Sequence, residues 1–209
     1  MTQHYFTPEP DAAHEISSWQ TRFAGLDLTF ETDRQVFSRL TLDYGTRYLL
    51  ETILEQPPLY GRILDLGCGY GPVGIVLKRR YPHVEMIMSD VNHRAVALAR
   101  RNLRLNHIQY VDVIQSDGLT SVSGRFDTIV LNPPIRAGKV VVYRLFAEAA
   151  AALTDTGRFY IVIQKKQGAP SAEKALMDLG LTVERLGRSA GYWVLCAGKN
   201  QHTAAEENQ

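Results

Sequence analysis

From residue 62 onward, short apolar runs alternate with segments whose apolar positions recur at helical spacing. The runs cover residues 62–66, 84–90, 111–117, 126–132, 157–164, 181–187 and 192–198, which predicts seven strands. Between the fourth and fifth runs, Val142, Leu145, Phe146, Ala149 and Leu153 share one helical face, and Val96, Ala99 and Leu103 do the same after the second. Strands alternating with amphipathic helices imply an α/β fold with a parallel sheet and helices on both faces. Only residues 188–191 separate the last two runs. That is too short for a parallel crossover, so the last strand should run antiparallel.

Ahead of this core, residues 19–23 and 26–32 flank Ala24-Gly25 and predict a hairpin. Residues 42–54 predict a helix with Leu42, Leu49 and Ile53 on one side, stopped by Pro57-Pro58. A lone hairpin is marginal in water. Residues 1–60 are therefore expected to form a lid on the cofactor edge of the same domain, with the catalytic core at 61–199. The stretch 200–209 has no apolar anchor and is expected to be a disordered tail. A chain of 209 residues, 45% hydrophobic, supports one well-buried domain.

A net charge of +1 gives little long-range attraction to nucleic acid, so any RNA contact must come from local basic patches. Cys68 and Cys196 form no Cys-x-x-Cys pair and the histidines show no ligand spacing, so no metal is expected. Neither a secretory leader nor an apolar stretch long enough for a membrane is evident, which points to a cytoplasmic protein.

Two loops carry the candidate chemistry. Asp65-Leu66-Gly67-Cys68-Gly69-Tyr70-Gly71 closes the first run, and alternate glycines let a strand turn into a helix whose first amides face a ligand. The second run ends in Asp90, where a carboxylate can accept from both hydroxyls of a ribose, and the third ends in Asp117-Gly118. Ligands of open α/β sheets bind beyond the carboxyl ends of the strands, so the three acids should face one crevice. Singly, each feature is also ordinary turn chemistry. Gly69 to Gly74 formally fits the dinucleotide pattern Gly-x-Gly-x-x-Gly. Against that, Asp65 would lie close to a pyrophosphate, whereas it suits the ammonium of a methionine moiety, and an antiparallel closing hairpin is foreign to the dinucleotide fold.

The second loop is Asn132-Pro133-Pro134. An exocyclic amino group on a base is a poor nucleophile because its lone pair is delocalised into the ring. The Asn132 carbonyl, together with carbonyls flanking Pro133, could accept its N–H groups and favour a more tetrahedral nitrogen. Asn-Pro-Pro is also a plain strand terminator.

With these motifs the chain resembles class I S-adenosylmethionine-dependent methyltransferases over residues 30–199, which implies a Rossmann-like sheet. Within that superfamily Phe30-Glu31-Thr32-Asp33, Val36-Phe37-Ser38, Asp43-Tyr44-Gly45-Thr46-Arg47 and Asn132-Pro133-Pro134 are similar to the small-subunit ribosomal RNA guanine-N2 methyltransferases. Residues 132–139 and 161–172 resemble single-domain bacterial members. The resemblance implies S-adenosylmethionine as cofactor, held at Asp65, Gly67, Cys68, Gly69, Asp90, Val91, Asn92, Asp117 and Gly118, with Thr46 near the methionine carboxylate and Asp117 on the adenine amino group. It also implies a guanine of 16S ribosomal RNA as acceptor, in a folded or assembled small subunit, with Asn132, Pro133 and Pro134 as the catalytic loop. Ile135 follows the prolines where many members carry an aromatic residue.

Arg136, Lys139, Lys165 and Lys166 should gather beside that loop as a phosphate-binding rim. Tyr192, starting the antiparallel strand at the same edge, could stack on the base or pack in the core. Asn-Pro-Pro loops also serve adenine-N6 and protein-glutamine methylation, and a non-catalytic RNA-binding module is a further alternative.

Overall fold

The computed structural model describes residues 16–33 and 41–199. Val36, Phe37, Ser38 and the expected tail at 200–209 lie outside the described residues. Strands β1 (Ile16–Phe23) and β2 (Leu26–Asp33) pair antiparallel around Ala24 and Gly25, at φ 49° and 78°. Two consecutive positive φ values make the tight hairpin turn that follows strand twist. Helix α1 (Tyr44–Leu54) starts where Asp43 accepts the Thr46 amide at 3.1 Å, and it ends at Glu55, ahead of Pro57-Pro58.

Seven strands form one sheet: β3 (Arg62–Leu66), β4 (Glu85–Asp90), β5 (Val111–Gln115), β6 (Phe126–Leu131), β7 (Leu153–Gln164), β8 (Leu181–Ser189) and β9 (Tyr192–Lys199). Their spatial order is β5-β4-β3-β6-β7-β9-β8, and β9 runs antiparallel to both neighbours. This is the Rossmann-like methyltransferase arrangement expected from the sequence. The order reverses between β3 and β6, so a crevice opens beyond their carboxyl ends. Several boundaries shift by one to four residues, most at β7, expected from residue 157. Leu153 is not the last apolar position of a helix but the first residue of β7, paired with Phe126.

Helices α2 (Pro72–Arg80) and α3 (His93–Leu105) cover one face together with α1 and the hairpin. Helices α4 (Lys139–Ala152) and α5 (Ala169–Asp178) cover the other. The predicted apolar positions Val96, Ala99 and Leu103 of α3 and Val142, Leu145, Phe146 and Ala149 of α4 are all buried.

The hairpin is fastened to α3 by two asparagines. Asn106 exchanges hydrogen bonds with the Thr29 backbone (3.0 and 2.7 Å) and Asn102 with that of Glu31 (2.7 and 2.9 Å). Four helical residues rise about 6 Å and two strand residues about 6.7 Å, so the side-chain amides match the open edge of β2 like another strand. Asn102 also donates to Tyr70 O at 2.8 Å, and the Tyr70 ring packs edge-on against Phe30 at 5.5 Å. The hairpin thereby braces the glycine loop from behind. No helix among the described residues is long and apolar enough to cross a membrane.

Candidate active site

The chain leaves β3 through Gly67, Gly69 and Gly71, at φ 72°, 58° and 95°, a region costly to residues with a side chain. Gly67 N and Cys68 N both donate to Ser89 O, at 2.8 and 2.9 Å, which folds the loop against the end of β4. Gly71 and Gly74 serve packing as well. A Cβ on either would come within 2.8 and 2.7 Å of Met88, so α2 lies close on β4.

Asp90 is 3% exposed; its Oδ2 accepts Gly69 N and its Oδ1 accepts Asn92 N, each at 2.9 Å. Asp65 lies deeper, inside β3, with Oδ2 accepting Gly74 N at 2.8 Å. Burial raises its carboxyl to about 7, the Gly74 amide opposes that rise and the Asp90 charge adds to it. Cys68 is buried, and burial pushes its thiol well above the ordinary range, which makes it a packing residue rather than a nucleophile. Asn92, fully buried, accepts Arg94 N at 2.9 Å and caps α3, while Val91 beside it is half-buried.

Asp117 is exposed beyond β5 and binds Arg144 Nη2 at 2.5 Å. Arg144 also pairs with Glu148 at 2.9 Å, and Glu148 Oε2 accepts Leu119 N at 2.9 Å. Gly118, at φ 57°, lies so close to Glu148 that a Cβ would collide with its carboxylate. Arg144 and Glu148 thus hold the Asp117-Gly118 turn, and sequence reasoning missed both. Their i,i+4 spacing on one helix was the available signal.

At the end of β6, Asn132 is exposed and its Nδ2 donates to Thr46 Oγ1 at 3.0 Å. Thr46, 4% exposed, sits in the first turn of α1, above the sheet face that Asn132 occupies. The tether fixes the amide, and Asn132 Oδ1 accepts no hydrogen bond from the described residues. Pro134 adopts φ −75° and ψ 73°, an inverse γ-turn in which Ile135 N donates to Pro133 O at 2.9 Å. The Pro133 carbonyl thus accepts one hydrogen bond from its own turn and keeps a second lone pair. Ile135 packs with the α4 and α5 side of the core, away from the Asn132 face.

Tyr192 is on the Asn132 face. Its ring lies against Gly45, where a Cβ would come within 2.9 Å of Cε1, and against Tyr44 at 5.4 Å. This contact explains a glycine inside α1. Tyr44, 42% exposed and bonded through its hydroxyl to Ser189 Oγ at 2.6 Å, is the more open ring and a further residue that sequence reasoning passed over. Arg136 and Lys139 are exposed after β6 and Lys165 and Lys166 after β7, so all four lie at the carboxyl edge. Arg100 and Arg101 are engaged elsewhere, with Val113 O and Glu31, at 2.6 Å each. No group of three or more candidate metal ligands occurs among the described residues.

The family model of the methyltransferase small domain matches residues 27–196. The chain is 41% identical over 201 residues to the uncharacterized protein YbxB of Bacillus subtilis (strain 168), covering 95% of this chain and all of that one. It is 44% identical over 113 residues to ribosomal RNA small subunit methyltransferase C of Pasteurella multocida, covering 54% of this chain and 34% of the relative. Among solved structures, the Thermus thermophilus 16S rRNA N2 G1207 methyltransferase in complex with AdoMet and guanosine superposes with a TM-score of 0.77 at 27% identity. That match covers 92% of this chain and 52% of the other, so the chain spans about half of that enzyme and a third of the Pasteurella one. The glycine loop, the strand-end acids and these likenesses agree: the chain belongs to the methyltransferase small domain family and is an S-adenosylmethionine-dependent methyltransferase.

Proposed function

We propose that the acceptor is the exocyclic N2 amino group of a guanine in small-subunit ribosomal RNA. The observation that carries this is the Asn132 carboxamide, fixed by its Nδ2 on Thr46 so that its carbonyl oxygen is left for an N–H of the acceptor. A planar amino group held through its hydrogens presents its nitrogen lone pair toward the methyl donor. The likeness to an enzyme solved with AdoMet and guanosine supports guanine as the base.

The cradle fits the cofactor. Gly67 and Gly69 keep side chains off the turn, and the buried Asp90 carboxylate stands at the strand end, where a ribose would lie. Cys68, Val91, Asn92 and Gly118 would shape the walls, Asp117 would meet the adenine amino group, and Asp65 would balance the methionine ammonium from beneath the loop. S-adenosylmethionine supplies an electrophilic methyl group on a sulfonium. Asn132 orients the acceptor nitrogen, and most of the acceleration comes from in-line positioning. Since the base must leave its stack to reach Asn132, Tyr44 and Tyr192 offer rings against which it can rest. Arg136, Lys139, Lys165 and Lys166 would take flanking phosphates. The substrate is a folded or assembled small subunit, because a chain of net charge +1 must rely on RNA shape more than on bulk attraction.

The test is transfer of labelled methyl groups to 30S particles, 16S RNA, DNA and a protein extract, followed by digestion of the product. Label in N2-methylguanosine is expected. Label in N6-methyladenine or methylglutamine would move the enzyme to another acceptor class, and no transfer with intact cofactor binding would make it a binding module.

A further inference from the structure

Gln164 is the last residue of β7, where side chains alternate between the two faces. Tyr160 and Val162 belong to the core under α1, and Phe159, Ile161 and Ile163 to the core under α4 and α5. Gln164 therefore shares the α1 face. On β6, Val130 lies on that face too, and so does Asn132. The register Leu131↔Ile161 sets Asn132 level with Val162, so Gln164 is one same-face position farther toward the carboxyl edge. Its partner across β9 is Tyr192, the ring on which α1 rests.

Gln164 Oε1 is shielded from solvent and has no hydrogen-bond partner among the described residues. An unmet buried acceptor is costly, and groups left so in a folded protein call for a cause such as a ligand. Beside it opens a cleft of about 480 Å³ bounded by Gln164, Lys165, Lys166, Ala190 and Gly191. A shielded acceptor, a cleft of that volume and two exposed cations thus meet at the end of β7, the strand beside β6 that leads into the acceptor loop.

We infer that Gln164 is a base-recognition residue that accepts the ring N1–H of the guanine whose N2 amino group Asn132 engages. The inference rests on the guanine acceptor proposed above and deepens it. On the Watson–Crick edge, the ring nitrogen adjacent to the exocyclic amino group is a donor in guanine and an acceptor in adenine. Gln164 Oε1 is satisfied by the first and opposed by the second. The Nε2 group of the same carboxamide carries donors that suit guanine O6. Asn132 alone does not tell the two bases apart, since either offers an amino group; Gln164 supplies the discrimination.

Full-length wild type, Gln164→Met and Gln164→Glu are compared on 30S particles, with cofactor affinity and thermal midpoint measured for each. The Met variant keeps length and volume without an acceptor, and it should lose about tenfold or more in kcat/KM while its cofactor affinity stays unchanged. The Glu variant keeps the acceptor and should retain clearly more activity than the Met variant. Should the Met variant fail to fold, Gln164→Lys, a donor of similar length, takes its place with the same expectation. Undiminished kcat/KM without the acceptor, equal losses in the Glu and Met variants, or a parallel loss of cofactor affinity each overturn the inference. A wild-type product other than N2-methylguanine overturns the guanine acceptor and this inference together; N2-methylguanine from the wild type with full activity in Gln164→Met overturns the inference alone.

Discussion

Replacing Thr46 by valine removes one hydroxyl and nothing else of consequence. The residue is 4% exposed, so a methyl of the same volume keeps the site filled, and valine and threonine have similar helix propensity. What disappears is the acceptor for Asn132 Nδ2, now at 3.0 Å. A neutral hydrogen bond contributes about 0.5–1.5 kcal/mol net. With about 1.4 kcal/mol per factor of ten, loss of a fixed Asn132 should lower kcat by roughly two- to twelvefold. Thr46→Ser, which keeps the oxygen, should stay near wild type. In an Asn132→Ala background, Thr46→Val should cost nothing further, because the two residues act as one unit. Single-turnover methylation of 30S particles reads the rate, and calorimetry reads cofactor affinity. Full activity in Thr46→Val, or an additive loss in the double variant, refutes the tether. A selective loss of cofactor affinity would instead place Thr46 on the methionine carboxylate.

Other perturbations probe other parts. Asp65 is raised from 3.8 to about 7 chiefly by burial, so the cofactor-free protein keeps a proton there that an ammonium nearby would expel. Cofactor affinity should therefore rise with pH up to about 7 and level off above, with proton release visible below about 7 as a buffer-dependent calorimetric enthalpy, and Asp65→Asn should flatten the profile. The same shift makes the cofactor-free fold lose stability between pH 3.8 and about 7, where the unfolded chain has released the proton and the folded one has not, and level off above. Gly71→Ala combines a φ of 95° with a 2.8 Å approach to Met88. It should cost about 2–4 kcal/mol as strain plus overpacking, seen as a fall in thermal midpoint. An unchanged midpoint would mean that the loop relaxes freely. Charge reversal at Lys165 and Lys166 should weaken binding to 30S particles and reduce the salt slope by about 2, with cofactor affinity intact. A salt slope equal to the wild type's would remove the pair from the RNA path.

The sheet was legible because alternating runs and helical spacing survive in any register, and the short 188–191 connection forced the antiparallel closure. Contacts between distant positions were not. Thr46 and Asn132 are 86 residues apart, and only the docking of α1 over β6 brings them together. Gln164 was hidden for a related reason: a polar residue closing an apolar run reads as the end of a strand, and its missing partner is visible only with α1 and Tyr192 in place. Asp65 shows a signal that was present and underused. Leu64 and Leu66 flank it within β3, a central strand covered on both faces, so any side chain there must be buried. Asp90 and Asp117 end their runs instead, where the chain can turn them toward solvent or a ligand. Acids at three neighbouring strand ends therefore differ in kind: Asp65 sets charge from inside the fold, Asp90 locks the loop that it faces, and Asp117 stands in the open under the hold of Arg144. Position within the run, more than residue type, separates a carboxyl held inside the sheet from one that stands beyond it.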